Sequence, residues 1–359
     1  MVIYGSLGLP SGGYLYDRQL VHALQQAGHQ VHVVALPWRG YVGSLLDNWR
    51  VSVRRALTDA GVDVWIQDEL NHPSLWRWNR HRPWGDAPVI SLVHHLRSNE
   101  AWPWPWRSLY RAVERAYVRS VDAFIYNSRT TRAEVTLLSG RPRPGVVAYP
   151  AADHIARTGL DDAMVVARAR HAGPLRVLFV GNLIPRKGLH RLLRALAQLP
   201  AEAAVLDVVG SDTFARSYAQ QVRALATDLG LSGRVHWHGH VHGDALRALF
   251  TRSHVLAVPS DYEGFGIVYL EAMAYGLPVL ATAYGAAWEL VTPGQTGYLV
   301  TPNEAGTRAM AAYLRRWHHD RERLATMGRA ALARFRAHPT WAQSLQRAVT
   351  FVQAWRTPA

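Results

Sequence analysis

From Pro259 to Pro278 the chain reads Pro-Ser-Asp-Tyr-Glu-Gly-Phe-Gly-Ile-Val-Tyr-Leu-Glu-Ala-Met-Ala-Tyr-Gly-Leu-Pro, with Glu263 and Glu271 separated by seven residues. The stretch follows an apolar strand, turns at Gly264 and Gly266, opens a helix and stops it at Gly276 with Pro278 just beyond. Glycine lets backbone amides approach a ligand closely, and amides at a helix start bind phosphate. Two carboxylates beside an anion site conflict unless the ligand also brings hydroxyls, as a sugar nucleotide does, because hydroxyls donate to carboxylates. The bland alternative has Glu263 capping the helix and Glu271 solvated on its outer face. The apolar setting of Glu271 weighs against it, since a carboxylate buried without a partner is costly.

A second stretch, Val177 to Leu189, reads Val-Leu-Phe-Val-Gly-Asn-Leu-Ile-Pro-Arg-Lys-Gly-Leu. A strand leads into a loop, Pro185 suits a first helical turn, and Leu189, Leu192, Leu193 and Leu196 continue as an amphipathic helix. Arg186 and Lys187 thus stand at a helix start beside a strand's carboxyl end, where open α/β sheets bind ligands. With the helix dipole they could hold a diphosphate and stabilise it as a leaving group, or be a solvated basic turn. Lys187 is the only lysine among 40 basic residues. A compact ammonium and a planar guanidinium are not equivalent at a phosphate.

The first half offers weaker signals. Gly12 and Gly13 follow an N-terminal strand, and His94-His95 follow the strand Val89–Val93, a place where polar groups face a ligand cleft. His236, His238 and His240 alternate, so a strand would put them on one face as a conceivable metal cluster. Gly239 ending that strand, and the lack of an adjacent carboxylate, argue against it. No Asp-x-Asp platform for a divalent ion occurs, and no metal is expected. Trp102, Trp104 and Trp106 lead into the arginine-rich segment Arg107–Arg119. Tryptophan rings at headgroup level beside arginines suit peripheral contact with an anionic membrane; a packed connection with a solvated helix face is the plainer alternative.

These residues need a scaffold, and the chain alternates short β-rich runs with longer segments of helical period, the pattern of a parallel sheet. Six strands are expected in the first half: Val2–Ser6, Val31–Ala35, Val64–Gln67, Val89–Val93, Ala123–Tyr126 and Val146–Tyr149. Six more are expected in the second: Val177–Gly181, Val205–Val209, Val235–His238, Val255–Val258, Val279–Ala281 and Tyr298–Val300. Two sets of six describe two Rossmann-like sheets in tandem. Ala151 to Pro174 shows no strand and reads as the linker, with the boundary near 170. That gives domains 1–170 and 171–338, followed by a segment 339–359 in which Thr340 caps a helix returning to the first domain.

Composition sets the outer limits. The 359 residues are 49% apolar and 18% charged, which is a soluble globular makeup able to form two cores. There is no cysteine, so disulfides and thiolate chemistry are excluded. The net charge of +14 favours anionic partners, but basic residues are spread over both halves and leave no nucleic-acid footprint, so no nucleic acid is expected. No signal peptide is recognised at Met1-Val2-Ile3-Tyr4, no apolar run is long enough to span a bilayer, and a cytoplasmic protein is expected, peripheral at the inner membrane face at most. An NAD-dependent oxidoreductase would also use two Rossmann-like sheets, but no Gly-x-Gly-x-x-Gly follows the first strand.

Lys187 and Glu263, 76 residues apart, anchor two motifs that together resemble the retaining glycosyltransferases of family 4. The Glu-x7-Glu pattern in the setting Glu-Gly-Phe-Gly with Leu-Glu-Ala-Met is similar to that family's signature, and Gly181-Asn182-Leu183-Ile184-Pro185-Arg186-Lys187-Gly188 to its diphosphate loop. The resemblance implies an α/β GT-B fold, two Rossmann-like β/α/β domains facing across a cleft, with the nucleotide-sugar donor held by the second. It implies that Gly181, Arg186 and Lys187 meet the diphosphate, as do the Ile267 and Val268 amides. Glu271 takes the ribose hydroxyls, and Glu263 with Gly264, Phe265 and Gly266 holds the donor sugar. Gly239 and His240 border the base. In the first domain Gly12 and Gly13 approach the donor or acceptor, and a histidine, His94 or His95, contacts the sugar near the reacting carbon. The implied reaction is transfer to a hydroxyl of a glycan, a lipid-linked or a small-molecule acceptor, by a metal-independent front-face route from a UDP- or GDP-sugar such as GDP-mannose. His94, Arg186, Lys187 and Glu263 are its expected catalytic residues. A sugar-nucleotide epimerase or hydrolase on the same fold would share the donor site.

Overall fold

The computed structural model of the chain describes residues 1–156 and 159–355, which fall into two compact units. Met1–Pro150 and the segment from Pro339 onward form the first, and Ala151–His338 the second.

The first unit is built on a six-stranded parallel sheet of β1 (Val2–Tyr4), β2 (Val34–Leu36), β3 (Trp65–Asp68), β4 (Val89–Val93), β5 (Ala123–Tyr126) and β6 (Gly145–Val147), in the order β2-β1-β3-β4-β5-β6. β4 and β5 are buried throughout, as strands covered on both faces must be, so their runs are almost purely apolar. The one hydroxyl in β4, Ser91, accepts a hydrogen bond from the Tyr117 phenol at 3.0 Å. The expected Val31–Ala35 strand shifts to Val34–Leu36, because the pairing Val2↔Val34 aligns only those residues with the short β1. The last helix, Trp341–Gln353, starts with a full capping box between Thr340 and Gln343. It packs on the helix Gly12–Gln26, with the Trp341 and Tyr16 rings edge-on at 5.5 Å.

The second unit repeats the plan with β7 (Leu175–Val180), β8 (Ala204–Val209), β9 (Val235–Gly239), β10 (Val255–Val258), β11 (Val279–Thr282) and β12 (Gly297–Val300), all parallel, in the order β12-β11-β10-β7-β8-β9. The boundary expected near 170 lies instead at 150/151, and the expected linker carries a helix, Asp162–Arg170, capped by Asp161. That helix belongs to the second unit because it packs on the helix Arg321–Arg336: Val165 is buried against Gly276 and Gly328, and Arg168 donates to the Gly276 carbonyl at 2.9 Å. Periodicity over nine residues was too short to separate this helix from a loop.

No helix among the described residues is long and apolar enough to cross a membrane.

Candidate functional site

In an open parallel sheet the strand order reverses at one point, and the loops leaving the carboxyl ends of the two strands there diverge to leave a crevice. In the second unit that point lies between β7 and β10. The loop after β7 carries Arg186 and Lys187 in a 3-10 turn, Pro185–Lys187, and the loop after β10 carries Glu263. Lys187 Nζ donates to Glu263 Oε2 at 2.8 Å, Arg186 lies 4.0 Å from Glu263 Oε1, and Ser260 Oγ donates to Oε2 at 3.0 Å. The loops are also joined through backbone: Asp261 N donates to Arg186 O at 2.7 Å, and Arg186 Nη1 to Tyr262 O at 2.9 Å. Burial by itself would raise the Glu263 carboxyl, but the charges of Lys187 and Arg186 and the hydrogen bonds outweigh it and hold the group down to about 2. Glu263 is therefore a carboxylate at neutral pH and does not cap the following helix, whose N-cap is Gly266 at φ +90°.

Glu271 lies in that helix, Ile267–Met273, 13% exposed and 3.3 Å from His154 Nε2. Phe265 and Gly264 are buried, while Ile267 and Val268 are half-buried at the helix start. Gly181, Gly210 and Gly239 stand at the carboxyl ends of adjacent strands, Gly210 donating to the Gly239 carbonyl at 2.8 Å. Gly181 lies under the Lys187 stem, to which a Cβ would come within 3.5 Å. His240 follows Gly239 and is exposed. His238 and His236 turn to the buried Asp207, at 2.6 and 3.6 Å, so a carboxylate is adjacent after all, supplied by the neighbouring strand β8. The alternation that suggested a metal cluster instead serves one structural carboxylate, which also takes Arg252 at 2.7 Å.

In the first unit the strand order reverses between β1 and β3. Gly12 and Gly13 open the helix after β1, capped by Ser11 accepting from Tyr14 N. The His94 ring packs directly on Gly13, where a Cβ would come within 3.3 Å of Cδ2, so a larger residue at 13 would displace it. His94 Nε2 bonds Asp17 Oδ1 at 3.1 Å, whereas His95 Nε2 turns away to Glu100 at 2.9 Å. Of the adjacent pair, His94 is the one that shares a site with the glycine loop. Ligand atoms of Asp17, Asp68 and His94, all buried, lie within 4.8 Å of one another. Two carboxylates and an imidazole suit a divalent cation chemically. Here the Asp17–His94 hydrogen bond and the capping of Leu70 N by Asp68 Oδ1 at 3.0 Å already engage an oxygen of each carboxylate. Burial and the Asp17 charge push the Asp68 carboxyl well above its usual range. The His94 imidazole is raised despite burial, through the Asp17 hydrogen bond and charge and then the Asp68 charge.

Asp17 and Asp68 were not among the expected residues. Asp17 had a signal: it shares the buried stripe of its helix with Leu20, Val21 and Leu24, where a carboxylate is out of place unless partnered. Asp68 ends β3 and had none. Trp102, expected to face a membrane, is half-buried, with the Arg97 guanidinium 4.7 Å over its ring and Tyr110 at 5.2 Å; Trp104 and Trp106 are exposed.

A second buried group, Glu69, His72 and Glu114, lies deeper in the first unit. Burial raises Glu114 from 4.5 to about 7, although Ser98 N donates to both its oxygens at 3.2 Å. An acid whose folded pKa is raised binds its proton more tightly when folded, so its contribution to stability falls as pH rises from the unfolded value toward the folded one. Thermal melts of the wild type and Glu114→Gln should therefore diverge between about pH 4.5 and pH 7, the wild type losing several degrees relative to the variant. A constant difference across that window would mean that Glu114 ionises as readily folded as unfolded.

Comparison with known proteins agrees with this architecture. The family described as Glycosyl transferases group 1 matches residues 166–334, and Glycosyltransferase Family 4 matches residues 15–154. A D-inositol 3-phosphate glycosyltransferase of Corynebacterium aurimucosum is 33% identical over 342 residues, covering 90% of this chain and 79% of that protein. A glycogen synthase of Mycobacterium tuberculosis is 31% identical over 236 residues, 63% of this chain; the match spans about half of that relative, 54%. Among solved structures, Anabaena HepE in complex with UDP and glucose superposes with a TM-score of 0.78 at 22% identity, covering 98% of this chain and 99% of that one. Sucrose-phosphate synthase from Thermosynechococcus elongatus also gives 0.78, at 24% identity, covering 99% of this chain and 98% of that one. These likenesses show the GT-B fold.

Proposed function

The chain belongs to glycosyltransferase family 4, and from that premise we propose that it transfers a sugar from a nucleoside-diphosphate donor to a hydroxyl acceptor with retention at the anomeric carbon. The observation that carries the proposal is the meeting of Lys187, Arg186 and Glu263 at the switch point of the second sheet, with Glu271 one helix turn beyond Ile267. A cationic pair beside a hydrogen-bonding carboxylate suits a ligand that is anionic at its diphosphate and hydroxylated at its sugars. In this reading Glu271 accepts from the ribose hydroxyls and Glu263 from the donor sugar while holding Lys187 in place.

The bond between the anomeric carbon and the diphosphate oxygen breaks as the acceptor oxygen bonds to that carbon from the same face. The departing diphosphate takes the acceptor's proton. Arg186, Lys187 and the Ile267 and Val268 amides stabilise the charge on the leaving group, a task that needs no metal when fixed cations supply it. His94, held by Asp17 at 3.1 Å in the first domain, is the catalytic histidine of this reading. The solved complex of HepE with UDP and glucose favours a uridine donor over GDP-mannose. Exposed Trp104 and Trp106, with the arginines after them, keep a peripheral bilayer contact within the proposal.

The test is thermal stabilisation by UDP, GDP, dTDP, ADP and NAD, each with and without EDTA, followed by product analysis with the matching sugar nucleotide. A ligand present at a hundredfold over its Kd stabilises by about 2.7 kcal/mol. One nucleoside diphosphate should raise the melting temperature by several degrees, indifferent to EDTA, and its sugar should appear on an acceptor. Stabilisation by NAD alone rejects the donor site; loss of the effect with EDTA rejects the metal-free route; free sugar or an epimer as the only product rejects transfer.

A further inference from the structure

The helix Gly40–Leu45 and the 3-10 turn Leu46–Trp49 that continues it are inside out. Besides Tyr41, at 7% exposure, their buried side carries the polar Ser44, Asp47 and Asn48, none of them exposed, while their solvent side carries Val42, Leu46 and Trp49 at 55%, 55% and 58% exposure. A helix facing water ordinarily does the reverse. The orientation is held from within. Asp47 Oδ1 takes Arg39 at 3.1 Å and Arg50 at 3.0 Å, and its Oδ2 accepts from Ser74 Oγ at 2.8 Å. Asn48 donates to the Pro73 carbonyl at 2.6 Å and accepts from Arg77 N at 3.0 Å. Turning the segment over to hide the apolar stripe would break these buried bonds, each of which is expensive to leave unmade.

Positions 42, 46 and 49 have the i, i+4, i+7 spacing of one helix face, so the exposed side chains form a stripe. The Tyr41 and Tyr110 rings, edge-on at 4.4 Å, tie this segment to the helix Trp106–Val118, and Trp106 lies 6.1 Å from Tyr110. Trp104, 83% exposed, precedes that helix. The charges are one-sided as well. Residues 38–55 and 102–119 each hold four arginines, all exposed. Their only carboxylates, Asp47 and Glu114, are fully buried.

We propose that these two segments form one docking surface for an anionic lipid bilayer. Aliphatic and indole side chains enter the headgroup boundary while the arginines other than Arg39 and Arg50, which Asp47 holds, pair with lipid phosphates, and neither segment itself presents an outward carboxylate to repel them. A second copy of the chain fits less well, because a two-fold interface would set the same eight arginines against themselves. The inference rests on the bilayer contact proposed above for Trp104 and Trp106 and extends it to the Gly40–Trp49 segment; it is independent of the donor-site reading and stands whatever the second unit binds.

Flotation of the full chain with vesicles of phosphatidylcholine alone, and of phosphatidylcholine mixed with phosphatidylglycerol, tests it. Binding is expected only to the anionic vesicles, weakening as salt is added. Leu46→Ser with Trp49→Ser should lower that affinity at least about tenfold while leaving the melting temperature and nucleotide binding near wild type, since both side chains are exposed. Arg54→Glu with Arg55→Glu should also abolish binding without touching the stripe. The proposal is overturned by absence of vesicle binding, by equal binding to both compositions, or by variants that bind as the wild type does. It is equally overturned by a wild-type dimer that the stripe variant converts to monomer, which would assign the face to a second copy.

Discussion

Replacing Lys187 with alanine is expected to lower sugar transfer about 100- to 1,000-fold, the loss typical of removing one fixed charge from a developing leaving group. The fold should tolerate it. Glu263 would lose its 2.8 Å partner but keep Ser260 at 3.0 Å and Arg186 at 4.0 Å, so the cost in stability should stay at about 1–3 kcal/mol for a carboxylate that is 12% exposed. Kinetics and thermal melts on the same preparation separate the two effects. Unchanged transfer would remove Lys187 from the leaving-group site. A melting temperature that collapses in step with activity would make the residue structural. Lys187→Arg adds a finer reading: charge is kept, but the planar fork cannot occupy the place of a compact ammonium against Glu263, so only part of the rate should return.

Gly188→Ala should be among the most damaging single-methyl changes in the second unit's site. Gly188 has φ +70°, and a Cβ there would stand 2.1 Å from the Pro259 carbonyl oxygen. The left-handed conformation costs about 1–2 kcal/mol for alanine, and the clash is with backbone, which cannot rotate away. The loop after β7 would have to separate from the loop after β10, breaking the Asp261 N to Arg186 O bond and parting Lys187 from Glu263. Expected results are a melting temperature lower by roughly 6–12 °C and loss of stabilisation by nucleoside diphosphate. Gly230→Ala is the control, with φ +69° but nothing within 4 Å of its Cβ. If both variants lose equally, left-handed strain accounts for everything and the close approach of the two loops contributes nothing.

Much of this protein is legible without coordinates. All twelve expected strands are present, because a parallel sheet covered on both faces demands short β-branched runs such as Val-Ile-Ser-Leu-Val and Val-Leu-Ala-Val between turn residues. The motifs of the proposed donor site are equally local. Pro185 in a first turn, glycines at 188 and 266 with positive φ, and a helix stop at Gly276 are each written within a few residues. The domain boundary was misplaced because the helix Asp162–Arg170 earns its place only by packing on a helix more than 150 residues later.

The amino-acid sequence by itself determined the fold class, the two sheets, the family and the loops that carry Arg186, Lys187, Glu263 and Glu271, since those depend on short-range periodicity and turn chemistry. Tertiary structure alone decided how the charges are shared. It put Lys187 on Glu263 across 76 residues, gave His94 rather than His95 to the Gly13 loop, and set Asp17 and Asp68 beneath it. It also turned Asp47 and Asn48 inward and Leu46 and Trp49 out. The reason is physical: strand and turn preferences act over a few neighbouring residues, whereas desolvation and pairing of a charge depend on which distant element covers it, and that is settled only when the sheets close.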